Sequence, residues 1–273
     1  MRRFITAVLL VLATVSLGAC TAPEPVAPRG PTPGSVHFTV MTFNIHRDRV
    51  DDPSTVAAIG ASNVDIVCLQ EVTSAWAEVL KARYAAQYPY MLMAPKENAG
   101  GLAILSHFPL EDRGVIPVPG DLHPGWVVHV ETPAGRVQLV AVHLRSLFNG
   151  TRDWISNYFA TGSDHIAETR LFMDHATPEM PTIVAGDFNE SPDGKAVKLL
   201  EGRGFTNVLP MFKPGQYTWY GKALGLDMTI DHVMIDGTFD ALNAWVERRG
   251  RSDHLPVVVH LEVRPGPVDP RLD

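Results

Sequence analysis

Pro181-Thr-Ile-Val-Ala-Gly-Asp-Phe-Asn-Glu190 joins a short apolar run to two polar residues. Ile183 to Gly186 reads as a buried strand, bounded by Pro181 on one side and a turn on the other. Side chains two apart on a strand share a face, so Asp187 and Asn189 leave the strand end side by side. Ser191-Pro-Asp-Gly194 then turns the chain away. A carboxylate and an amide at the rim of a core strand are a rigid way to present an acceptor and a mixed donor/acceptor. Alone, the pattern also describes a strand that runs into ordinary turn residues, because Asp and Asn favour turns. The company it keeps along the chain decides between the two.

Working outward, the same kind of ending recurs. Val36 to Phe43 reads as a strand ending at Asn44, and Val64 to Gln70 as one ending at Glu71. Trp126 to Glu131 and Arg136 to Val142 flank Pro133-Ala-Gly135, a hairpin signal, and the second of these strands ends at His143. Asp231 and the pair Asp253-His254 stand beside further apolar runs near Ile230 and Val257. Strands are also expected at Tyr88–Met93, at Gly100–Ser106, and near Phe205 and Tyr217. Helices are expected over Pro53–Ala61, over Ser74–Ala86 with Ser74 as its cap, over Ala167–Ala176 and over Gly194–Leu200. Residues 146–165 read as irregular. Strands in pairs with interspersed helices suggest mixed sheets with helices outside, not a doubly wound parallel sheet.

Charged groups at the edge of a core are costly unless they are paired or metal-bound. Strand ends on a rigid scaffold are where catalytic groups collect. Glu71, Asp187 and Asp253 offer hard oxygens and no sulfur, which suits Mg²⁺ or Mn²⁺ rather than a closed zinc site. Histidines as phosphate donors, carboxylates for a metal and an acid to position water together suit phosphate-ester hydrolysis.

In their order, Thr42-Phe-Asn44, Leu69-Gln-Glu71, Gly186-Asp-Phe-Asn189, Ile230-Asp-His232 and Ser252-Asp-His254 resemble the endonuclease/exonuclease/phosphatase superfamily. The resemblance implies a four-layer α/β/β/α sandwich: two mixed β-sheets face to face, with helices on both outer faces. It implies Glu71 as the metal carboxylate, Asn44 as its neighbour at metal or phosphate, and Asp253 as a further ligand to metal or metal-bound water. Asp187 would orient and deprotonate the attacking water, and Asn189 would hold the scissile phosphate. His254 would donate to a phosphate oxygen, oriented by Asp231, and His143 would donate from the other side. Glu97 resembles the acid that pairs with that histidine in some members. His46 and Arg145 are further candidates for phosphate contact, with solvent-facing roles as their alternatives. The implied cofactor is Mg²⁺ or Mn²⁺, and the implied reaction is in-line attack of water on phosphorus.

The termini and composition narrow the setting. Met1-Arg-Arg3, the apolar run Phe4–Ser16 and Leu17-Gly-Ala-Cys20 resemble a bacterial lipoprotein signal, with residues 1–19 removed and lipid on Cys20. The expected location is the cell envelope, lipid-anchored, and the expected state is a monomer. Removing residues 1–19 takes away Arg2 and Arg3 and no acid, which moves the net charge from −7 to −9. That disfavours a bulk electrostatic grip on nucleic acid or anionic lipid. Residues 20–35 read as a Pro-rich tether reaching roughly 45 Å at most, residues 36–263 as the catalytic domain and 264–273 as a disordered tail. With Cys20 lipidated, Cys68 is alone, and in Asp65-Ile-Val-Cys-Leu69 it reads as a small buried hydrophobe. Leu147 to His165, with Phe148, Trp154, Tyr158 and Phe159 beside Arg152, is the distinctive loop in which substrate choice is sought, with a satellite hydrophobic cluster under a long loop as the equally weighted alternative. It could stack on bases or dip into a lipid interface. The expected substrate is a phosphoester, nucleic acid slightly ahead of a phospholipid head group as in sphingomyelinases, with a phosphatase as a further alternative. A surface lipoprotein that binds without catalysis is the alternative of another class.

Overall fold

The computed structural model of the chain describes residues 24–120, 123–146, 154–222 and 225–264, the side chains of 154–160 excepted. Two six-stranded mixed sheets face each other. The first runs β13 (Phe239–Val246), β14 (Val257–Val263), β1 (His37–Asn44), β2 (Ile66–Gln70), β4 (Leu102–Ser106), β3 (Tyr90–Ala94). The second runs β5 (Leu110–Ile116), β6 (Gly125–Thr132), β7 (Gly135–His143), β8 (Thr182–Asp187), β12 (Asp231–Ile235), β9 (Thr206–Asn207). Each sheet has one parallel pair at its centre, β1 with β2 and β7 with β8. A parallel pair needs a crossover. The first crosses through α1 (Pro53–Gly60) and the second through α3 (Trp154–Asp174). A short hairpin of β10 (Trp219–Gly221) and β11 (Leu226–Met228) stands apart from both sheets.

Alternation along the strands sorts the residues into layers. Phe38 and Val40 of β1, Ile66 and Cys68 of β2, Leu139 and Ala141 of β7, and Ile183 and Ala185 of β8 meet between the sheets. Met41, Phe43, Val67 and Leu69 point the other way, under α1 and α2 (Ser74–Tyr84). Val140, Val142 and Val184 lie under α3 and α4 (Lys195–Glu201). This is the four-layer sandwich. Cys68 is fully buried, and burial pushes its thiol up to about 12, which leaves it inert as a nucleophile.

Several local expectations change. Thr73, not Ser74, caps α2, its hydroxyl accepting from Trp76 N–H. Residues 154–165 are helical, not irregular, because α3 begins at Trp154. The side chains of Trp154, Tyr158 and Phe159, and residues Phe148 and Arg152, lie outside what the structure describes. So do Cys20 and residues 265–273. The stretch 24–35 is extended, yet it is not a free spacer. Val26 N–H donates to the Met211 carbonyl, Arg29 N–H to that of Leu242, and the Arg29 guanidinium pairs with Glu262 at 2.8 Å. Thr32 N–H also reaches Glu262. Proline favours an extended chain whether docked or free, so composition alone does not separate the two. Among the described residues, no helix is long and apolar enough to cross a membrane.

Candidate active site

The rows of residues that face the other sheet change character at one end. Following the period of two, Phe38, Val40 and Thr42 lead to Asn44; Leu139 and Ala141 lead to His143; Ile183 and Ala185 lead to Asp187; Ile235 and Val233 lead back to Asp231. Register aligns the ends. Asp187 pairs with His143 on one side and Asp231 on the other. The parallel pairing of β7 and β8 is tight, and a Cβ on Gly186 would fall 1.8 Å from the Val142 carbonyl oxygen. Only glycine fits immediately before Asp187.

Asn44 ties the two sheets together. Its amide nitrogen donates to Glu71 at 3.2 Å and to Asp187 Oδ2 at 3.1 Å, and its oxygen accepts from His46 N–H. Arg47 N–H donates to the other oxygen of Glu71. A second link joins Asp231 of the second sheet to His254, which precedes β14 of the first. Nδ1 of His254 lies 3.0 Å from Asp231 Oδ2. Thr218 donates to that same oxygen at 2.6 Å and accepts from the N–H groups of Ile230 and Asp231. Asn189 N–H donates to Asp187 Oδ1, and its amide donates to the Leu144 carbonyl at 2.9 Å. His46, Glu71 and Asn189 all sit at positive φ, 59°, 62° and 50°. For Glu71 and His46 that left-handed backbone costs about 1–3 kcal/mol, the kind of strain that surrounding contacts sustain at functional sites.

Two histidines flank Asp187 Oδ2, Nε2 of His143 at 3.5 Å and Nε2 of His254 at 3.6 Å, and they differ in charge. Burial holds His143 well below the usual imidazole range, with His123 and His254 adding to the effect. Its Nδ1 faces the Ala99 carbonyl at 3.1 Å and must carry the hydrogen. Nε2 of the neutral ring is then an acceptor, so His143 becomes a phosphate donor only after gaining a proton. Burial also works against charging His254, but Asp231 and Asp187 outweigh it and raise it to about 10. Burial lifts the Asp187 carboxyl to about 7, His254 pulling it down and Asp231 pushing it up. The residues enclose a cavity of about 380 Å³, lined also by His46, Arg47, His123, Trp219 and Asp253.

The donor set fits a hard divalent cation. Glu71 is half-exposed at the cavity, whose lining is rich in oxygen and nitrogen groups, some buried (Asn44, His143, Asp187, Asn189) and some open to solvent (Arg47, Asp48, Asp253). Asp187, Asp231 and His254 also bring three possible ligand atoms within 4.8 Å of one another. That trio is already satisfied, since His254 turns one nitrogen to each carboxylate and protons fill the role a cation would take. Glu71 is the better seat, and Asn44, which turns its amide nitrogen rather than its oxygen toward it, braces that carboxylate instead of joining it as a ligand.

Other candidates fare differently. Glu97 is exposed and accepts from Ser74 N–H at the start of α2, while the partner of His143 is the Ala99 carbonyl. The pairing of Glu97 with His143 is thus corrected: a backbone acceptor two residues along takes its place. Arg145 pairs with Asp164 at 2.8 Å and does not line the cavity. His46 lines it, with Nδ1 accepting from Asp48 N–H. Asp253 stands exposed at the wall, accepting from the Trp219 indole at 3.0 Å. Sequence reading missed Thr218, Trp219 and His123, whose ring stacks on His143 with centroids 3.8 Å apart. None of the three ends an apolar strand, the signal that found the others.

Solved structures share this architecture. An endonuclease/exonuclease/phosphatase from Beutenbergia cavernae DSM 12333 aligns with TM-score 0.68 at 24% identity, over 85% of this chain and 73% of that one. D. rerio TDP2 complexed with single strand DNA product gives 0.61 at 18%, over 82% and 98%. The human Nocturnin catalytic domain with bound sulfate anion gives 0.59 at 17%, over 84% and 95%. No curated protein sequence matches the chain. A family model for phosphoester hydrolases matches residues 41–254, the span that carries every group from Asn44 to His254, and by that match the chain belongs to the Endonuclease/Exonuclease/phosphatase family.

Proposed function

We propose that this protein is a divalent-cation-dependent phosphodiesterase that cleaves by in-line attack of water, with a nucleic-acid backbone as substrate ahead of a phospholipid head group. The observation that carries the reading is the setting of Asp187, a buried carboxylate between a neutral and a charged histidine at the floor of an open cavity. With its carboxyl near 7, Asp187 is partly ionised at neutral pH and suited to take a proton from water. Nε2 of His143 is the next acceptor for that proton. His254 stays charged and turns Nε2–H toward the same place, where it offsets negative charge growing on a phosphoryl oxygen. Asp231 and Thr218 keep its ring in that orientation. Asn189 lines the cavity with a side chain already fixed by Leu144. A cation held by Glu71, which Asn44 braces, with Asp253 at the wall, would supply Lewis-acid stabilisation of the phosphoryl oxygens.

The neighbours with a single strand DNA product and with a sulfate anion support reading the cavity as a phosphate site. The test is cleavage by residues 20–273 and an Asp187→Ala control, on plasmid DNA and on sphingomyelin vesicles, with Mg²⁺ or Mn²⁺. Nicking abolished by EDTA and by the substitution is the expected result. Phosphocholine release with intact plasmid would move the substrate to lipid, and silence on both would count against a phosphodiesterase. Lipid on Cys20 belongs to the same proposal, as do export and a monomeric state. Palmitate labelling of the full chain and of Cys20→Ser, with light scattering of the purified protein, tests them.

A further inference from the structure

His165 is fully buried on α3, outside the cavity, yet it touches both strand ends that build the second sheet's share of the site. Its Nε2 lies 2.8 Å from the Arg145 carbonyl, two residues beyond His143. Its Nδ1 lies 3.0 Å from Glu190 Oε2, one residue beyond Asn189. A carbonyl only accepts, so Nε2 carries a hydrogen. Glu190 is itself buried. Its other oxygen accepts from Val197 N–H in the first turn of α4, whose cap position, Gly194, has no side chain to offer. A Cβ on Gly194 would fall 2.3 Å from the Glu190 carboxyl carbon, so glycine there leaves room for that carboxylate. Burial works against charging His165, but its contacts with Glu190 and the Arg145 carbonyl outweigh it and raise the affinity of the ring for a second proton. Glu168, one turn along α3, accepts from Arg145 N–H at 3.0 Å and fixes the same loop from the other side.

We propose that His165 is a positioning residue of the phosphoesterase site. As an imidazolium it donates from both nitrogens and sets the spacing between the loop carrying Asn189 and the end of the strand carrying His143. The proposal rests on the phosphodiesterase reading for its effect on rate, though not for the state of the ring. Misplacement of a catalytic group by about 1 Å can cost on the order of 100-fold. His165→Ala should therefore lower kcat about 10- to 100-fold, with KM within about threefold. In an Asn189→Ala background the same change should cost under about threefold, while the drop in melting temperature stays the same in both backgrounds. A role in stability alone predicts the full loss of rate in both. Glu190→Gln serves where His165→Ala does not fold. It keeps an acceptor for Val197 N–H and removes the charge that holds the imidazolium. Ring ¹⁵N NMR on the unsubstituted protein at pH 7.5 should show His165 protonated on both nitrogens, and Glu190→Gln should return it to one. A singly protonated ring in the unsubstituted protein, or additive losses of rate, would overturn the proposal. An unsubstituted enzyme inactive on every phosphodiester is instead the failure of the functional reading, and the NMR result then decides for His165 by itself.

Discussion

The two sheets contribute to the site by the same device and with opposite chemistry. In each, a parallel pair ends at the cavity, β1 and β2 in Asn44 and Glu71, β7 and β8 in His143 and Asp187. The first pair ends in a half-exposed carboxylate on a left-handed backbone. The second ends in a carboxylate and an imidazole that are both fully buried. One half therefore offers a hard oxygen to solvent, and the other hides its titratable groups from it; on the proposed reading the first would hold the cation and the second would exchange protons. Burial is what separates the two, because desolvation moves the affinity for a proton.

Substitutions can break that division, the largest effect first. Asp187→Asn should keep the fold and lower kcat by about 10³- to 10⁴-fold, as removal of a general base does; a loss under tenfold would move the base elsewhere. Glu71→Ala should cost about 10²-fold or more. It should also abolish the rise in melting temperature that millimolar Mn²⁺ gives the parent protein. Glu97→Ala should leave that rise intact, and the reverse pattern would place the cation at the outer loop. Next comes pH. Asp187, raised from 3.8 to about 7, contributes stability that is full below 3.8 and lost as pH climbs through 7. His254, raised from 6.5 to about 10, contributes stability that is full below 6.5 and lost as pH climbs through 10. Metal-free protein should therefore melt progressively lower from pH 4 to pH 10. Asp231→Asn should flatten the upper part of that slope, and an unchanged slope would mean that Asp231 does not hold the proton on His254. The smallest effect is expected far from the site. Arg29→Ala leaves the nearly buried Glu262 with Thr32 and Ser35 but no cation, and should lower the melting temperature by a few degrees at neutral pH with no change in rate.

Much of this was legible in the sequence for one physical reason. A core strand must be apolar until it leaves the core, so a polar residue at its last inward position announces a site. Asn44, His143, Asp187 and Asp231 all stand at such positions. The signal fails in two places. Edge strands have one solvated side, and β5 (Leu-Glu-Asp-Arg-Gly-Val-Ile) and β13 (Phe-Asp-Ala-Leu-Asn-Ala-Trp-Val) are edge strands with a register shift each, so neither reads as a strand by apolar content. Supporting contacts also form between distant positions. Thr218 under Asp231, His123 on His143 and His165 beside Glu190 have no local pattern to mark them, since each is chosen by what packs against it. Glu97 shows the converse error, a residue of the right type in the right neighbourhood whose carboxylate caps a helix instead.

The bridge from Asn44 to Asp187, and the one from His254 to Asp231, have a consequence for the life of the chain. Each joins residues far apart in sequence and lodged in different sheets. A nascent chain that has made only the first sheet's central strands holds Glu71 and Asn44 without Asp187, and a fragment bearing only the second sheet holds Asp187 without Glu71. On the proposed reading neither piece would be able to cut, and the site would be complete only when the segment before the last strand, β14, brings the His254 ring against Asp231.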